Sequence, residues 1–166
     1  MYEKSIELLN AAIADEIAAI HQYMYFHFRL DDLGYAPLAN LLKMTAIEEM
    51  QHAEMIAERV LFLGGDVELK PSGEVQKVLE PEAMVAMAKS LEEEAVEMYN
   101  RFANECGQNA DSVSKKLFED LVVDEERHYD GFDTQEEHLK KFGEQFLALQ
   151  SIERSKTLAG GPPAQA

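Results

Sequence analysis

Glu16, Glu49 and His52 recur as Glu92, Glu125 and His128, each displaced by 76 positions, and Tyr23 recurs as Tyr99. Within each half the two glutamates stand 33 apart, and the second opens a Glu-x-x-His: Glu49-Met50-Gln51-His52 and Glu125-Glu126-Arg127-His128. Spacing, order and residue type all agree, so chance is a poor explanation. Four carboxylates and two imidazoles in a doubled arrangement are a donor set for two metal ions. Oxygen-rich ligation with one histidine per metal suits iron or manganese. Zinc favours fewer ligands and more nitrogen or sulfur, and calcium rarely takes imidazole. Redox activity gives iron a purpose here that zinc lacks, so iron is the expected metal.

The elements that carry these residues read as helical nearly throughout. A long amphipathic run from about Ser5 to Leu33 closes at Gly34. A second runs from about Ala36 to Leu63, with Pro37 where a first helical turn tolerates it, and stops at Gly64-Gly65. Residues 66–80, with Pro71 and Gly73, read as a long connection. Pro81 opens a third helix to about Cys106; Asp111 or Ser112 caps a fourth that continues to about Lys141. Gly131 marks a kink or a close approach in that fourth helix. A short fifth helix spans Glu144 to about Arg154. Short joins make two antiparallel hairpins, and the long join lets the second cross over. The expected fold is all-α, a four-helix bundle with one long crossover and a short C-terminal fifth helix. Residues 1–154 form one domain, and 155–166 read as a flexible tail.

Helical phase supports the metal reading. At about 100° per residue, Glu and His of a Glu-x-x-His lie about 60° apart, on one face and one turn apart. Leu42, Thr45, Ile56 and Leu63 share that stripe of the second helix, so the ligands face the bundle interior. Burying four unpaired carboxylates is prohibitively costly, and two divalent cations neutralise them. Glu92 begins the run Glu92-Glu93-Glu94, but only Glu92 shares the face of Tyr99 and keeps the 33-residue offset to Glu125. Glu93 and Glu94 are assigned to the surface.

Composition bounds the function classes. The 166 residues are 46% apolar and 28% charged, as for one soluble domain with a proper core. The balance of 15 basic to 32 acidic residues, a net −17, argues against nucleic acid and anionic membranes as partners. A strongly negative protein gathers cations instead. The single cysteine, Cys106, allows no internal disulfide. The polar start Met1–Ser5 lacks the pattern of a secretion signal, and a cytoplasmic location is expected.

One Glu from each of two helices and Glu-x-x-His from each of two others is the established template of di-iron carboxylate bundles. The resemblance is closer than that. The segment Asp15-Glu16-Ile17-Ala18-Ala19-Ile20-His21-Gln22-Tyr23 resembles bacterioferritin, as do Glu49–Ala53, Glu92 with Tyr99-Asn100, and Asp124–His128. It covers roughly residues 1 to 154. The metal motif is shared across ferritin-like proteins, including rubrerythrins; Met50 is the element specific to bacterioferritin. Met50 sits about 100° from Glu49 and about 160° from His52, so it faces away from the metal pair. Ala46, Ala53 and Ala57 are its expected neighbours on that outer face. The residues alone suggest a methionine filling an interface. The resemblance implies a haem, b-type or a related porphyrin, shared between two subunits through one Met50 from each.

The resemblance further implies ferroxidase activity and iron storage. Two iron ions per subunit would be bridged by Glu49 and Glu125 and completed by Glu16 with His52 and Glu92 with His128. Dioxygen or peroxide would take one electron from each Fe(II). Tyr23 would hydrogen-bond a ligand or donate an electron; its plainer role is packing. The mineral would fill a hollow 24-subunit homo-oligomer built of dimers, with a ferredoxin-type protein as electron donor. Met44 and Glu48 stand where some bacterioferritins carry His and Asp on the cavity side, so an extra cavity-wall iron site is not expected. The alternative is a rubrerythrin-like di-iron peroxide reductase, although no Cys-x-x-Cys module accompanies the ligands. A helical assembly protein without metal leaves the duplicated ligands unexplained. His21, His27 and His138 read as surface or interface residues, Met84, Met87 and Met98 as core, and Cys106 as structural.

Overall fold

A computed structural model describes residues 2–159. It contains α1 (Glu3–Asp32), α2 (Ala36–Phe62), α3 (Pro81–Gln108), α4 (Ser112–Phe142) and α5 (Glu144–Ala159), with no strand among the described residues. No helix there is long and apolar enough to cross a membrane.

The helix ends follow local chemistry. Both α1 and α2 stop on a glycine with positive φ, Gly34 at 89° and Gly64 at 81°. Behind each, the next residue donates back into the last turn: Tyr35 N–H to the Leu30 carbonyl at 2.9 Å, and Gly65 N–H to that of Val60 at 3.0 Å. This paired closure satisfies carbonyls that a helix end otherwise leaves bare. The α3–α4 turn is built differently. Asp111 caps α4 by accepting from Ser114 N–H at 3.1 Å, and Arg59 of α2 ties to the same carboxylate at 2.7 Å.

The two core clusters show how the helices run. One joins the end of α1 (Phe26, Leu30) to the start of α2 (Leu38, Leu42), the start of α3 (Met84, Val85) and the end of α4 (Phe132, Leu139). The other joins the start of α1 (Leu9, Ile13), the end of α2 (Ile56, Val60), the end of α3 (Phe102, Cys106) and the start of α4 (Phe118, Leu121). Each hairpin is therefore antiparallel, while α2 and α3 point the same way. The link between them must travel the length of the bundle, which is why it is long. It does so alongside α1, held by Asn10 to Asp66 and Glu68, by Ser72 N–H to the Ala14 carbonyl, and by a reciprocal pair between Gln22 and Gln76. α5 lies across the bundle end, where the Gln150 amide oxygen accepts from Leu38 N–H at 2.9 Å.

Three expectations need correction. α5 continues through Ala159 rather than ending near Arg154, so the expected tail is helical over its first five residues; residues 160–166 fall outside the described part. Side chain-to-backbone bonds from Ser155 to Ser151 and from Thr157 to Glu153 support the added turn. α4 runs unbroken through Gly131, and a Cβ there would meet nothing within 4 Å, so close packing does not explain that glycine. Ala46 is buried in the core at 3% exposure, and not on the outer face beside Met50.

Candidate metal centre

Between the two apolar clusters lies one polar layer. Glu16, Glu49, His52, Glu92, Glu125 and His128 are all buried, each at 5% exposure or less. The structure brings all six together as two overlapping groups. Glu16, Glu49, His52 and Glu125 form one; Glu49, Glu92, Glu125 and His128 form the other. Within each, the donor atoms lie within 4.8 Å of one another, and Glu49 and Glu125 belong to both.

The two groups are near replicas. His52 Nδ1 lies 2.8 Å from Glu49, 3.1 Å from Glu125 and 3.6 Å from Glu16. His128 Nδ1 lies 3.0 Å from Glu49, 3.1 Å from Glu125 and 3.6 Å from Glu92. The two imidazoles stack with centroids 5.9 Å apart. Each half also supplies a tyrosine, and the pairing crosses between halves. Tyr23 donates to Glu92 at 2.5 Å, and Tyr99 donates to Glu16. Each tyrosine packs on a phenylalanine of α4, Tyr23 on Phe132 and Tyr99 on Phe118.

Electrostatics shows what this layer lacks. Both oxygens of Glu49, one of Glu125 and Nδ1 of His52 are buried without an aligned hydrogen bond, although they lie within contact distance of one another. Orphaned buried polar atoms are costly, and cations among them would satisfy all four at once. Without cations, protons carry the balancing charge. Burial, reinforced by Glu49 and Glu125, pushes the Glu16 and Glu92 carboxyls well above the usual carboxylate range. Burial works against the charged form of His52, yet the Glu125, Glu16 and Glu49 carboxylates crowded against its ring outweigh it and push this imidazole up to about 12. His128 is raised in the same way. Burial also opposes ionised Glu125, but His128 and His52 overcome it and hold this carboxyl down to about 2. The donor set fits two cations: four carboxylates and two imidazole nitrogens converge, and metal ions there would replace the protons that otherwise balance their charge.

The remaining sequence-predicted residues lie elsewhere. Met50 is 54% exposed on the outer face of α2, with half-buried Ala53 and Ala57 on the same side. Glu93 and Glu94 are exposed, as expected. A cavity of about 200 Å³ reaches the polar layer between α1 and α3 and is bordered by Asp15, Ser72, Glu74 and Glu94. Two residues have a direct bearing on the site that the sequence reading did not assign, having placed Glu48 only at the cavity side and Asp124 only within a family-like segment. Glu48 lies 2.9 Å from His128 Nε2, and Asp124 lies 3.3 Å from His52 Nε2. Their signal was an acid directly before each Glu-x-x-His, at the same offset of 76.

Comparison with known proteins bears on both fold and site. Residues 6–142 match the family described as "Ferritin-like domain". The bacterioferritin of Desulfovibrio desulfuricans is 38% identical over 148 residues, spanning 87% of this chain and 81% of the relative. That of Rhodobacter capsulatus is 38% identical over 147 residues, 88% of this chain and 91% of the relative. Solved structures of both superpose well. The D. desulfuricans protein, described with a diiron site in different catalytic states, gives a TM-score of 0.88 at 36% identity, covering 89% of this chain and 86% of the other. The R. capsulatus protein, described with a metal-free dinuclear site and a haem iron, gives 0.85 at 33% identity, covering 98% and 97%.

Proposed function

The chain belongs to the bacterioferritins of the ferritin-like family, and on that premise we propose that it stores iron by oxidising Fe(II) at a dinuclear centre. The observation that carries this reading is the pair of buried four-residue groups sharing Glu49 and Glu125. In it, Glu49 and Glu125 stand between two Fe(II) ions, Glu16 and His52 complete one side, and Glu92 and His128 complete the other. Two metal ions held together let one oxidant take two electrons in one encounter, with dioxygen or peroxide as the acceptor. With peroxide, two Fe(II), one H₂O₂ and two protons give two Fe(III) and two waters.

The protein side of the reaction is charge and proton handling. Fe(II) displaces protons from His52, His128, Glu16 and Glu92, since each must be deprotonated to ligate. Tyr23 and Tyr99 hold Glu92 and Glu16 in place through their hydroxyls, and Tyr23 is also poised to supply an electron. The apolar clusters on either side leave the cavity beside Asp15, Ser72 and Glu94 as an approach for small ions and oxidant. Rapid-mixing measurement of Fe(II) oxidation tests the reading. The wild type oxidises two Fe(II) per subunit in a fast phase, and an equally fast phase in Glu49→Ala would refute it.

Met50 fits a second group. Its thioether is exposed, lies on the opposite face from the dinuclear site, and is flanked by small residues that leave room for a flat ring. In this reading two copies meet there and share a haem through one Met50 each, and the pairs assemble into a 24-subunit cytoplasmic shell. A haem held there would supply a one-electron carrier for iron release, with a ferredoxin-type protein as the electron donor. Protein produced with ample haem shows a Soret band that Met50→Leu abolishes; retention of the band removes Met50 from the role. Size-exclusion mass tests the shell, since a monomer or dimer would contradict it.

A further inference from the structure

Outside the dinuclear site, one cation links the two histidines. Arg127 Nη2 lies 2.5 Å from Glu48 Oε2 and 3.2 Å from Asp124 Oδ1. The same Glu48 oxygen lies 2.9 Å from His128 Nε2, and the other Asp124 oxygen lies 3.3 Å from His52 Nε2. The result is one continuous chain, His128–Glu48–Arg127–Asp124–His52. Each imidazole turns Nδ1 toward the buried carboxylates and Nε2 toward this chain.

The geometry has a clear physical consequence. A carboxylate on Nε2 keeps the proton there and leaves Nδ1 free to ligate, and it holds the ring's orientation. Glu48 and Asp124 are like charges gathered around the same histidine pair, and repulsion alone would draw them away from the rings. Arg127 opposes that. The duplication sharpens the point. Glu48 and Asp124 are counterparts at the offset of 76, whereas the counterpart of Arg127 is Gln51, which is exposed. One arginine from the second half therefore serves both sides.

We infer that Glu48, Arg127 and Asp124 act as a single positioning unit for the dinuclear centre, with Arg127 the element that couples its two sides. This rests on the proposed dinuclear function. It also assigns Glu48 a task other than binding iron at the shell's inner wall, because its carboxylate is committed to Arg127 and His128.

Anaerobic titration with Co(II), followed by ligand-field absorption, tests the inference without turnover. The wild type takes up two Co(II) per subunit. Arg127→Gln, which copies the counterpart residue, weakens both sites by about 10-fold or more, the range of outer-shell losses. Arg127→Lys keeps a cation there and retains most of the affinity. Glu48→Ala weakens the His128 side and Asp124→Ala the His52 side. Arg127 is exposed, so the metal-free melting temperature of Arg127→Gln stays within about 2 °C of wild type. If the wild type takes two Co(II) and Arg127→Gln matches it, the positioning unit is refuted. A loss of affinity that merely tracks a lowered melting temperature refutes it too. Failure of the wild type itself to bind two Co(II) would instead overturn the dinuclear reading on which the inference rests.

Discussion

Toward the bundle interior, the α1–α2 hairpin and the α3–α4 hairpin present nearly the same residues. Glu16, Tyr23 and Phe26 of α1 answer to Glu92, Tyr99 and Phe102 of α3, and all six are buried. Glu49 and His52 of α2 answer to Glu125 and His128 of α4, again all buried. Facing outward, the correspondence ends. Met50 stands opposite Glu126, Gln51 opposite Arg127, and Ala53 opposite Tyr129. Two like ions between two hairpins require matched donors, so any drift inside leaves a buried charge unpaired. The outer faces meet different surroundings and are free to diverge. The duplication thus marks the candidate metal centre, and its failure marks the surfaces where the two halves differ.

The strongest challenge to this equivalence is removal of a shared ligand. Glu49→Ala and Glu125→Ala should each slow Fe(II) oxidation by roughly 10³-fold, an order of magnitude beyond the 10–100-fold typical of outer-shell changes. Stopped-flow absorbance checks this, and a large inequality between the two would break the symmetry. The turns differ by design. Asp111 sits at 1% side-chain exposure and pairs with Arg59, whereas the α1–α2 turn relies on Gly34. Asp111→Ala should cost about 3 kcal/mol in denaturant unfolding, as when one partner of a buried ion pair is removed.

Protons offer a finer comparison. The buried carboxylates crowded against its ring hold His52 protonated up to about 12, and burial holds Glu16 and Glu92 protonated above their usual range. A cation must displace these protons, so metal affinity falls as pH is lowered and rises as pH climbs toward the His52 value. Glu125, held down to about 2, is already ionised and adds nothing to the slope at neutral pH. The expected dependence is about tenfold in affinity per pH unit for each proton released. Calorimetry of Co(II) binding in buffers of different ionisation enthalpy measures the release, and a pH-independent affinity would count against the assignment. The smallest effect concerns the tyrosines. Tyr23→Phe and Tyr99→Phe each remove one bond to a buried carboxyl, at a cost of about 1–2 kcal/mol. Matching losses in chemical unfolding support the crossed pairing, while a loss in only one variant would show the halves to be unequal inside.

The six clustered acids and histidines were legible in the sequence because type and spacing repeat together, and helical phase picked Glu92, which is buried, from its acidic run. The bundle and its crossover were legible from glycine and proline positions. Other features were not. Phase alone placed Ala46 beside Met50; the two differ by only about 40° around the helix, yet Ala46 is buried and Met50 exposed, because packing decided the matter. The last turn of α5 carries Ser155, Lys156 and Thr157, polar residues without apolar periodicity, so its helix rests on local bonds that a pattern search does not register. Tyr23 pairs with Glu92 rather than with Glu16 on its own helix, which depends on how two helices face each other. Glu48 and Asp124 repeat at the same offset as the ligands, yet their role became visible only once the imidazole Nε2 atoms had a position.

Diffraction from crystals soaked anaerobically in Fe(II), with anomalous data collected at the iron edge, bears most directly on the central claim. Two peaks per subunit are predicted, one beside Glu16 and His52, the other beside Glu92 and His128, with Glu49 and Glu125 between them. A single peak, or iron bound away from those six side chains, would contradict it.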